Sequence, residues 1–485
     1  MGIVAGVDSS TQSCTVELRD AQSGELLGSG RAPHPVTYPP VSEQAPSAWW
    51  TALRIAIVEA SSAAGVAVSD IDAISVGAQC HGLVMLDANG KVLRDAKLWN
   101  DTTSAPEADE MVRALGMDAW ADAVGSVPTA AFTITKLAWI ARHESALLPR
   151  VASVLLPHDY LTWRLTGRRV TDRSDAAGTG YFAPHESRWV PELLERFVGQ
   201  LDWSSILPEV LGPSEAAGTV SAEAAAELGL RDDVVVGPGG GDQHVGALGV
   251  GLTPGEVVYS LGTSGVVLTV SEHPVSDHAG YVNGVADAAG GYLPLVCTLN
   301  ATKVTDTVAR LLGVDLGELA DLALQDASAD RPVFAAFLDG ERTPNRPDAT
   351  GLLGGMTTAT SRADVARAAF EGVLFGLERG HRAIQAVGAA ADGAVTMMGG
   401  GARSVAYRQI LADILQRPVQ VRDAPEATAR GACVQAAAVL AGIPVTEVRD
   451  AWTPAVVSET LPRAVVPESV RERYEALADW PGLDR

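Results

Sequence analysis

The chain has 485 residues, of which 47% are hydrophobic and 20% charged, so it is a globular protein with room for two or three domains rather than a disordered one. Asp and Glu number 59 against 36 Lys and Arg, which gives a formal net charge of −23 at pH 7. A chain this acidic repels nucleic acid and anionic membranes at long range, so neither is an expected partner.

Location and redox state follow from simple patterns. No apolar run reaches the roughly 18 residues that a membrane-spanning helix needs, and the first residues do not resemble a signal peptide. Cys14, Cys80, Cys297 and Cys433 lie far apart and form no CxxC pair, which argues against zinc and disulfides. We therefore expect a cytoplasmic protein with reduced thiols.

The chain begins with a predicted β-hairpin that has an unusually polar turn. An apolar run at residues 3–7 leads into a turn of Asp, Ser, Thr and Gln at 8–13, and a second strand-like run covers 14–18. Apolar residues at helical spacing predict a helix over 46–65. A further strand at 71–76 ends in the polar loop 77–82, so the class is α/β.

A glycine-rich segment at 237–242 precedes a second hairpin of the same kind. Its strands are predicted on either side of the turn 260–265. At an offset of 252 residues the two hairpins align, so Thr11 meets Thr263, while Asp8 meets Ser260. Each half of the chain therefore begins with a similar hairpin, but only the first turn carries a carboxylate.

Several common phosphate and metal sites are excluded by their motifs. The single Gly-Lys pair, Gly90-Lys91, is followed by Val92, so there is no Walker P-loop. Protein-kinase signatures, HExxH and GxSxG are absent. Residues 178–183 formally fit GxGxxA but lack a convincing βαβ context, which disfavours a dinucleotide site.

Two polar turns in separate halves predict a different design. Backbone N–H groups of tight turns form concave anion sites, so facing turns could clamp a triphosphate between them. Asp8 would then hold Mg²⁺, which prefers carboxylate and phosphate oxygens. Taken alone, each turn is better explained as an ordinary hairpin with a polar tip, and only the two turns together with the glycine-rich segment before Asp242 favour a phosphate site.

Longer motifs give a resemblance to the FGGY carbohydrate kinases. Residues 351–356 and 364–371, seven residues apart, fit that family's C-terminal signature, and 132–143 nearly match its N-terminal one, with Ala131 departing at the first position. Segments 174–179 and 399–404 also resemble the family. The resemblance implies a two-domain actin-like ATPase (ribonuclease H-like) fold with its active site in the interdomain cleft.

The resemblance also implies a division of labour between two domains. Residues 1–245 would form the N-terminal domain with the sugar site and the first phosphate turn, and residues 246–485 the C-terminal, nucleotide-binding domain. The loop at 79–82 and Trp99-Asn100-Asp101 are most similar to the xylulokinases. The implied reaction is phosphorylation of D-xylulose to D-xylulose 5-phosphate by MgATP, with ribulose, glycerol or erythritol-type acceptors left open.

Site residues are carried over position by position. The resemblance makes Asp242 the general base and Asp8 the residue that serves Mg²⁺. The implied sugar-binding residues are Gln79, Cys80, His81, Trp99, Asp242 and Gln243. The implied ATP-binding residues are Ser10, Thr11, Gln12, Gly262, Thr263, Gly400, Gly401 and Ala402.

The chain departs from the family pattern at several of these positions. The departures are Ser10 for a glycine, Thr15 for a basic residue, Cys80 for Met, Gln243 for Asn, and Thr102-Thr103 for Gly-Arg. Without a cation at position 15, the negative charge of the phosphates is less compensated. Lys303 is one residue that could supply the missing positive charge. The departures at Cys80, Gln243 and Thr102-Thr103 concern the identity of the sugar more than the reaction.

Simpler roles compete with some of these assignments. Asp242 could merely cap a helix that starts near Gln243. His81 could be a core histidine hydrogen-bonded to the backbone. Trp49 and Trp50 are expected to pack one face of the first helix, whereas Trp99 could shield the apolar face of a sugar.

Two other classes of function remain as alternatives. One keeps the fold but is a non-catalytic, ATP-binding sensor, and the other is a nicotinamide dehydrogenase. Addition of a ketopentose would release ADP only for the kinase, and NAD would bind only to the dehydrogenase. The sequence does not fix the oligomeric state, and a homodimer is one possibility because it is the commonest arrangement of soluble oligomers.

Overall fold

The first half of the chain is built on a seven-stranded sheet. The computed structural model describes residues 2–484. The strands of this half are β1 (Ile3–Ser9), β2 (Ser13–Asp20), β3 (Leu26–Pro33), β4 (Glu43–Gln44), β5 (Ile71–Ala78), β6 (Val84–Leu86), β7 (Ala96–Lys97), β8 (Ser153–Leu155), β9 (Val170–Asp172), β10 (Phe182–Ala183), β11 (Arg188–Trp189), β12 (Glu209–Leu211), β13 (Gly218–Thr219), β14 (Val235–Val236) and β15 (Gly240–Gly241). The sheet order is β13-β14-β5-β1-β2-β3, and β15 also pairs with β5.

Ten helices surround this sheet and the smaller two-stranded sheets beside it. They are α1 (Pro46–Ala64), α2 (Ala105–Leu115), α3 (Met117–Val124), α4 (Thr133–His143), α5 (Pro157–Thr166), α6 (Arg173–Ala176), α7 (Pro191–Phe197), α8 (Trp203–Ile206), α9 (Ala222–Leu228) and α10 (Asp242–Gly249). The count refers to residues 2–249. One hydrophobic core lies between the sheet and α1, and a second forms around α3, α4 and α7.

The second half repeats the plan with another seven-stranded sheet. Its strands are β16 (Val257–Leu261), β17 (Gly265–Thr269), β18 (Asn283–Ala286), β19 (Tyr292–Thr298), β20 (Val333–Ala335), β21 (Leu352–Gly354), β22 (Val395–Met398), β23 (Val419–Arg422) and β24 (Val456–Thr460). Its helices are α11 (Thr302–Leu312), α12 (Leu316–Ala323), α13 (Arg362–Ala386), α14 (Val405–Leu415), α15 (Ala427–Ala441), α16 (Val445–Ala451) and α17 (Glu468–Ala478). The sheet order is β18-β19-β17-β16-β22-β23-β24.

Each large sheet contains the same three-strand unit. Strands β1 and β2 form an antiparallel hairpin, and β5 lies parallel to β1; likewise β16 and β17 form a hairpin, and β22 lies parallel to β16. The predicted pair of hairpins is therefore confirmed. Asp8 and Ser260 occupy matching places, each one residue before the end of its strand.

The first predicted helix is confirmed as α1. A proline opens it, and Gly65, with φ of +69°, ends it in a left-handed conformation that suits glycine. Trp49 and Trp50 are buried, and their indole N–H groups donate to Gln44 and Glu227. The two tryptophans therefore pack as predicted and take no part in the site described below.

One helix of the second half reaches the first sheet. Helix α15 packs against β1 so closely that a Cβ on Gly6 would lie 1.9 Å from the carbonyl oxygen of Ala429. Helix α10 runs across position 245/246, and the domain boundary proposed there stays a prediction. Across residues 2–484, no helix combines the length and apolar character needed to cross a bilayer.

Candidate active site

Two carboxylates meet at one edge of the first sheet. Asp8 of β1 pairs with Gly77 of β5, and Gly240 of β15 pairs with the same Gly77 from the other side. Asp242 follows β15 directly. All three strands are parallel, and ligands of α/β sheets bind beyond the carboxyl ends of such strands. The register therefore brings Asp8 and Asp242 to the edge where a ligand is expected.

Asp242 is the first residue of α10, after a chain segment that only glycine allows. Gly240 has a φ of +159°, and a Cβ there would lie 2.9 Å from Ser174 Oγ. Gly241 provides the helix cap, so Asp242 itself stands inside the helix and is not its capping residue. The glycine run thus lets the backbone approach β5 closely and then turn into the helix.

Only one carboxylate oxygen of Asp242 is used within the protein. Oδ1 accepts hydrogen bonds from the Gln243 backbone N–H (2.8 Å) and from Cys80 Sγ (3.4 Å). Oδ2 accepts none from any residue in the range 2–484. Burial raises the pKa of Asp242 to about 6. The site therefore contains a weakly basic carboxylate with one oxygen free for a ligand.

The carbonyl oxygens of the first hairpin turn are all engaged. Those of Ser10 and Gln12 accept from the ring Nδ1–H (2.9 Å) and the backbone N–H (2.8 Å) of His34, and that of Thr11 accepts from Gln44 Nε2 (3.1 Å). The N–H groups of residues 10–12 have no acceptor in the described part of the chain. This turn therefore offers a row of unpaired donors, which is what an anion requires.

Asp8 lies beside this turn, where its ionised form is disfavoured. Burial, together with the nearby carboxylates of Asp242 and Glu426, raises the pKa of Asp8 to about 7, although the Ser10 hydroxyl donates to it. A bound cation would remove this cost. Between residues 2 and 484 no cluster of three or more His, Cys, Asp or Glu is arranged to hold a metal, but Mg²⁺ commonly takes one or two carboxylates plus phosphate oxygens. Asp8 and Asp242 fit that pattern.

The loop after β5 contains an unsatisfied buried amide. The Gln79 backbone N–H donates to the Ser9 carbonyl oxygen (3.1 Å), which fixes the loop against the first turn. Its side-chain Oε1 and Nε2 are buried and have no partner within the described range. Since buried polar groups are nearly always paired, Gln79 is a good candidate for contact with a ligand.

His81 is held in one orientation next to Gln79 and Cys80. Its φ of +65° is rare for a residue with a side chain, and its ring stacks on Phe132 at 5.2 Å. Nδ1 donates to the Gly178 carbonyl oxygen (2.7 Å), so Nε2 is left as an acceptor. Burial, with the positive charges of Lys136 and Arg342, keeps the pKa well below its usual value, so His81 is neutral.

Trp99 joins the predicted sugar and phosphate residues. Its indole N–H donates to the Thr11 hydroxyl (2.8 Å), so the ring lies against the first turn. Asn100 next to it has a buried, unpaired Oδ1. The two segments predicted for sugar and phosphate are therefore contiguous in space.

The second hairpin turn also has engaged carbonyl oxygens and unpaired N–H groups, although it is one residue shorter: three residues separate Leu261 from its partner Gly265, against four between Ser9 and Cys14. The carbonyl oxygens of Gly262 and Thr263 accept from the N–H groups of Thr302 (3.0 Å) and Ala301 (3.1 Å), and Gly262 donates to the Ser264 carbonyl oxygen (3.0 Å). The N–H groups of Thr263 and Ser264 are unpaired within residues 2–484. Gly262 and Thr263 are exposed, so the donors remain accessible.

The predicted adenosine residues lie next to this second turn. Gly399 has a φ of +80°, and a Cβ there would lie 2.7 Å from the Leu261 carbonyl oxygen. Gly401 packs equally closely on the Leu261 side chain, whereas Gly400 faces open space. Residues 400–403 form a short 3-10 helix in which Ala402 is buried. The residues predicted for adenosine are therefore adjacent to the second turn, and their role stays a prediction.

A small cavity of about 50 Å³ joins the two halves. Its lining includes Asp242 and Gln243 from the first half and Ser260, Met398 and Thr428 from the second. Asp242 thus faces the strand that carries the second turn. The cavity thus places Asp242 and Gln243 next to β16, while the individual roles of the predicted residues stay predictions.

Two polar residues of the site were not identified from the sequence. His244 lies in α10 with Nδ1 3.9 Å from Cys80 Sγ, and burial lowers its pKa to about 4. Its position directly after the predicted sugar-binding residue Gln243 could have identified it. Thr428 of α15 donates its hydroxyl to the Asp242 carbonyl oxygen (3.1 Å), and nothing in the sequence connects positions 186 residues apart.

Comparison with known proteins decides the family. The FGGY carbohydrate kinase N-terminal domain matches residues 3–249, and the C-terminal domain of the same family matches residues 257–440. The chain belongs to the FGGY family of carbohydrate kinases. The resemblance read from the signature motifs is therefore confirmed, and the chain is an enzyme that phosphorylates a sugar.

The similar proteins include several xylulose kinases. The chain is 42% identical to the xylulose kinase of Streptomyces coelicolor over 454 residues, covering 93% of this chain and 91% of that one. It is also 42% identical to the Streptomyces rubiginosus xylulose kinase, over 93% and 90% of the two chains.

Solved structures support the same fold. The xylulose kinase of Bifidobacterium adolescentis superimposes with a TM-score of 0.86 at 37% identity, covering 98% of this chain and 99% of that one. The kinase structure from Brucella ovis gives a TM-score of 0.92 at 30% identity, with 99% of each chain covered. The predicted two-domain sugar kinase fold is confirmed.

Proposed function

We propose that this kinase transfers the terminal phosphoryl group of ATP to D-xylulose, giving D-xylulose 5-phosphate and ADP. The support for this sugar is the similarity to two xylulose kinases over more than nine-tenths of the chain. The two sets of unpaired backbone donors on opposite sides of one cleft suit a triphosphate. No alternative acceptor has a comparable observation in its favour.

Asp242 is the general base of the proposed reaction. As the sugar hydroxyl oxygen attacks the terminal phosphorus, its proton passes to Oδ2 of Asp242, the bond from that phosphorus to the bridging oxygen breaks, and ADP leaves. The observation that carries this role is the carboxylate itself, with Oδ2 unpaired within the described chain and a pKa of about 6. Such a group is ionised at neutral pH and still takes a proton readily.

The sugar is held beside Asp242 by groups that have no partner in the protein. Gln79 offers both amide atoms, and neutral His81 offers Nε2 as an acceptor for a hydroxyl proton. Gln243 and Cys80 flank the base, and Trp99 presents a ring to the apolar side of the sugar. Each of these groups restrains one part of a polyhydroxylated ligand, which orients the reacting hydroxyl.

Nucleotide phosphates bind between the two hairpin turns. The N–H groups of Ser10, Thr11 and Gln12 bind from one side, and those of Thr263 and Ser264 from the other. Asp8, with Asp242 nearby, is the residue for Mg²⁺, which neutralises phosphate charge when bound. Gly400, Gly401 and Ala402 lie beside the second turn, where they contact the adenosine.

The two halves divide these tasks. Residues 1–245 supply the sugar contacts and the first phosphate turn, and residues 246–485 supply the second turn and the adenosine contacts. Movement of one half towards the other would exclude water, which otherwise competes with the sugar for the phosphoryl group.

A coupled assay of ADP release over a panel of acceptors tests the proposal. With MgATP present, D-xylulose should give the highest kcat/KM among D-xylulose, D-ribulose, glycerol and erythritol, and product analysis should find the phosphate on the C5 oxygen. A higher kcat/KM with another acceptor would assign a different sugar. Nucleotide binding with no acceptor-dependent release at all would favour the ATP-binding sensor.

A further inference from the structure

The two turns proposed to bind phosphate contain no positive charge of their own. Neither residues 8–13 nor residues 260–265 include a Lys or Arg. The surroundings are acidic, since Asp242 and Glu426 both act on Asp8 strongly enough to raise its pKa. Apart from Mg²⁺, any positive charge that faces a nucleoside triphosphate in this site must therefore come from elsewhere in the fold.

The sheet register brings one arginine to the first turn. Asp8 of β1 pairs with Thr15 of β2, and Thr15 pairs with Arg31 of β3. Directly opposed residues of antiparallel strands project from the same face, so Asp8, Thr15 and Arg31 form one row across three strands. The row is about 10 Å long, since neighbouring strands lie roughly 4.8 Å apart.

This row is on the face of the sheet that looks towards the second half. Gly30, next to Arg31, faces α1, because a Cβ on Gly30 would lie 2.2 Å from the Ala56 carbonyl oxygen. Gly6, two residues before Asp8, faces α15 of the second half. Since side chains alternate along a strand, Asp8 and Arg31 project from the side of the sheet on which α15 lies, and Arg31 stays exposed there on the edge strand β3.

The Arg31 side chain leans along this face towards the turn. Its Nε donates to Ser13 Oγ (3.0 Å), at the end of the turn, and its positive charge acts on Asp8 to lower the pKa of that carboxyl. Neither terminal nitrogen has a hydrogen-bond acceptor, and no carboxylate lies within 4 Å of the guanidinium, in the chain from residue 2 to 484. An exposed arginine fixed at Nε and unpaired at both ends of its fork is suited to bind an oxyanion.

We infer that Arg31 binds a phosphate group of the nucleotide and supplies the positive charge that the first turn lacks. This rests on the proposed function only in that the ligand is MgATP. Lys303, the substitute suggested by the sequence, is engaged elsewhere: its Nζ donates to the Leu338 carbonyl oxygen (3.2 Å) and lies 3.7 Å from an Asp339 oxygen.

Calorimetric titration of the full chain with MgATP, and separately with adenosine, tests the inference without any sugar. Arg31→Met should weaken MgATP binding by about 10- to 100-fold, the usual cost of a lost charge-assisted hydrogen bond, and leave adenosine binding unchanged. Arg54→Met is the matched control, because Arg54 is an exposed arginine on α1, outside the site. It should bind MgATP within twofold of the original chain.

A second-site variant provides the rescue. Because Thr15 lies between Asp8 and Arg31 in the row, Thr15→Lys in the Arg31→Met background puts an ammonium at the same turn and should recover most of the lost affinity. The inference is overturned if Arg31→Met binds MgATP as Arg54→Met does, or if it loses MgATP and adenosine binding equally. The two proposals can fail separately. If the original chain released no ADP with D-xylulose, the proposed phosphorylation of D-xylulose would be refuted. A weaker binding of MgATP by Arg31→Met would still support the role of Arg31.

Discussion

The two hairpin turns differ by one residue in length and differ strongly in their side chains, but they share one backbone feature. In both, the carbonyl oxygens are occupied and several N–H groups are left without partners in the described chain. The first turn adds Asp8, the Trp99 contact and Arg31, whereas the second has Ser260 where the first has Asp8. The unpaired N–H groups of either turn suit an anion, whereas the charged side chains of Asp8 and Arg31 lie beside the first turn.

The largest effect on kcat should come from replacing Asp242, the proposed general base. Asp242→Asn keeps the size of the side chain but cannot take a proton, so kcat should fall by roughly 10²- to 10⁴-fold, the usual contribution of a general base. Steady-state ADP release with D-xylulose measures the loss.

Asp109→Asn provides the control for this variant. Asp109 is an exposed residue of α2, outside the candidate site, so the same change there should leave kcat within twofold. If Asp242→Asn retained near-full activity, Asp242 would not be the base.

The next largest effect should separate the two turns directly. Asp8→Ala should raise the KM for MgATP by about 10- to 100-fold, because interactions between charged groups contribute more to binding than neutral hydrogen bonds do. Ser260→Ala, at the matching position, should raise it by less than about 10-fold, as expected for a neutral hydroxyl. Binding of D-xylulose, followed by calorimetry, should remain largely intact in both variants. If both substitutions raised the KM for MgATP equally, Asp8 would have no greater role in binding MgATP than Ser260.

The pH dependence of the reaction should reveal the ionisation of Asp242. Burial raises its pKa to about 6, and the base must be deprotonated, so kcat/KM for the sugar should fall about tenfold per pH unit below pH 6. Saturating MgATP keeps Asp8 ionised during the measurement. A profile that stayed flat down to pH 5 would contradict the assignment.

A smaller effect is expected on stability. The pKa of Asp242 is raised from 3.8 to about 6, so its ionised form costs folding free energy as the pH rises through that interval. Asp242→Asn should therefore increase the free energy of unfolding by about 1 to 3 kcal/mol at pH 8 and have little effect at pH 3.5. Ser260→Ala should show no such pH dependence. Denaturant unfolding at the two pH values measures both.

Much of this comparison was predictable from local sequence. Short runs of β-branched and apolar residues around polar turns predict the hairpins. The offset of 252 residues aligns Asp8 with Ser260 from the sequence alone. The glycine-rich run at 237–242 marked a break in the pattern before the second hairpin, and the FGGY signatures identified the family. These features depend on residues near one another in the chain.

What the sequence could not give depends on register and long-range contact. Strand β15 consists of two glycines without any hydrophobic pattern, yet its pairing with β5 puts Asp242 at the cleft. The left-handed backbone of His81 and the bond from Trp99 to Thr11 are fixed by distant partners. Nothing in the sequence sets Arg31 apart, and only the strand register aligns it with Thr15 and Asp8.

A crystal structure with D-xylulose and a non-hydrolysable ATP analogue tests the central claim most directly. With the cleft closed on both ligands, Oδ2 of Asp242 should lie within about 3.2 Å of the sugar hydroxyl that faces the terminal phosphate, the range of a hydrogen bond to a general base. A closed complex in which that carboxylate lies far from every sugar hydroxyl would contradict the account.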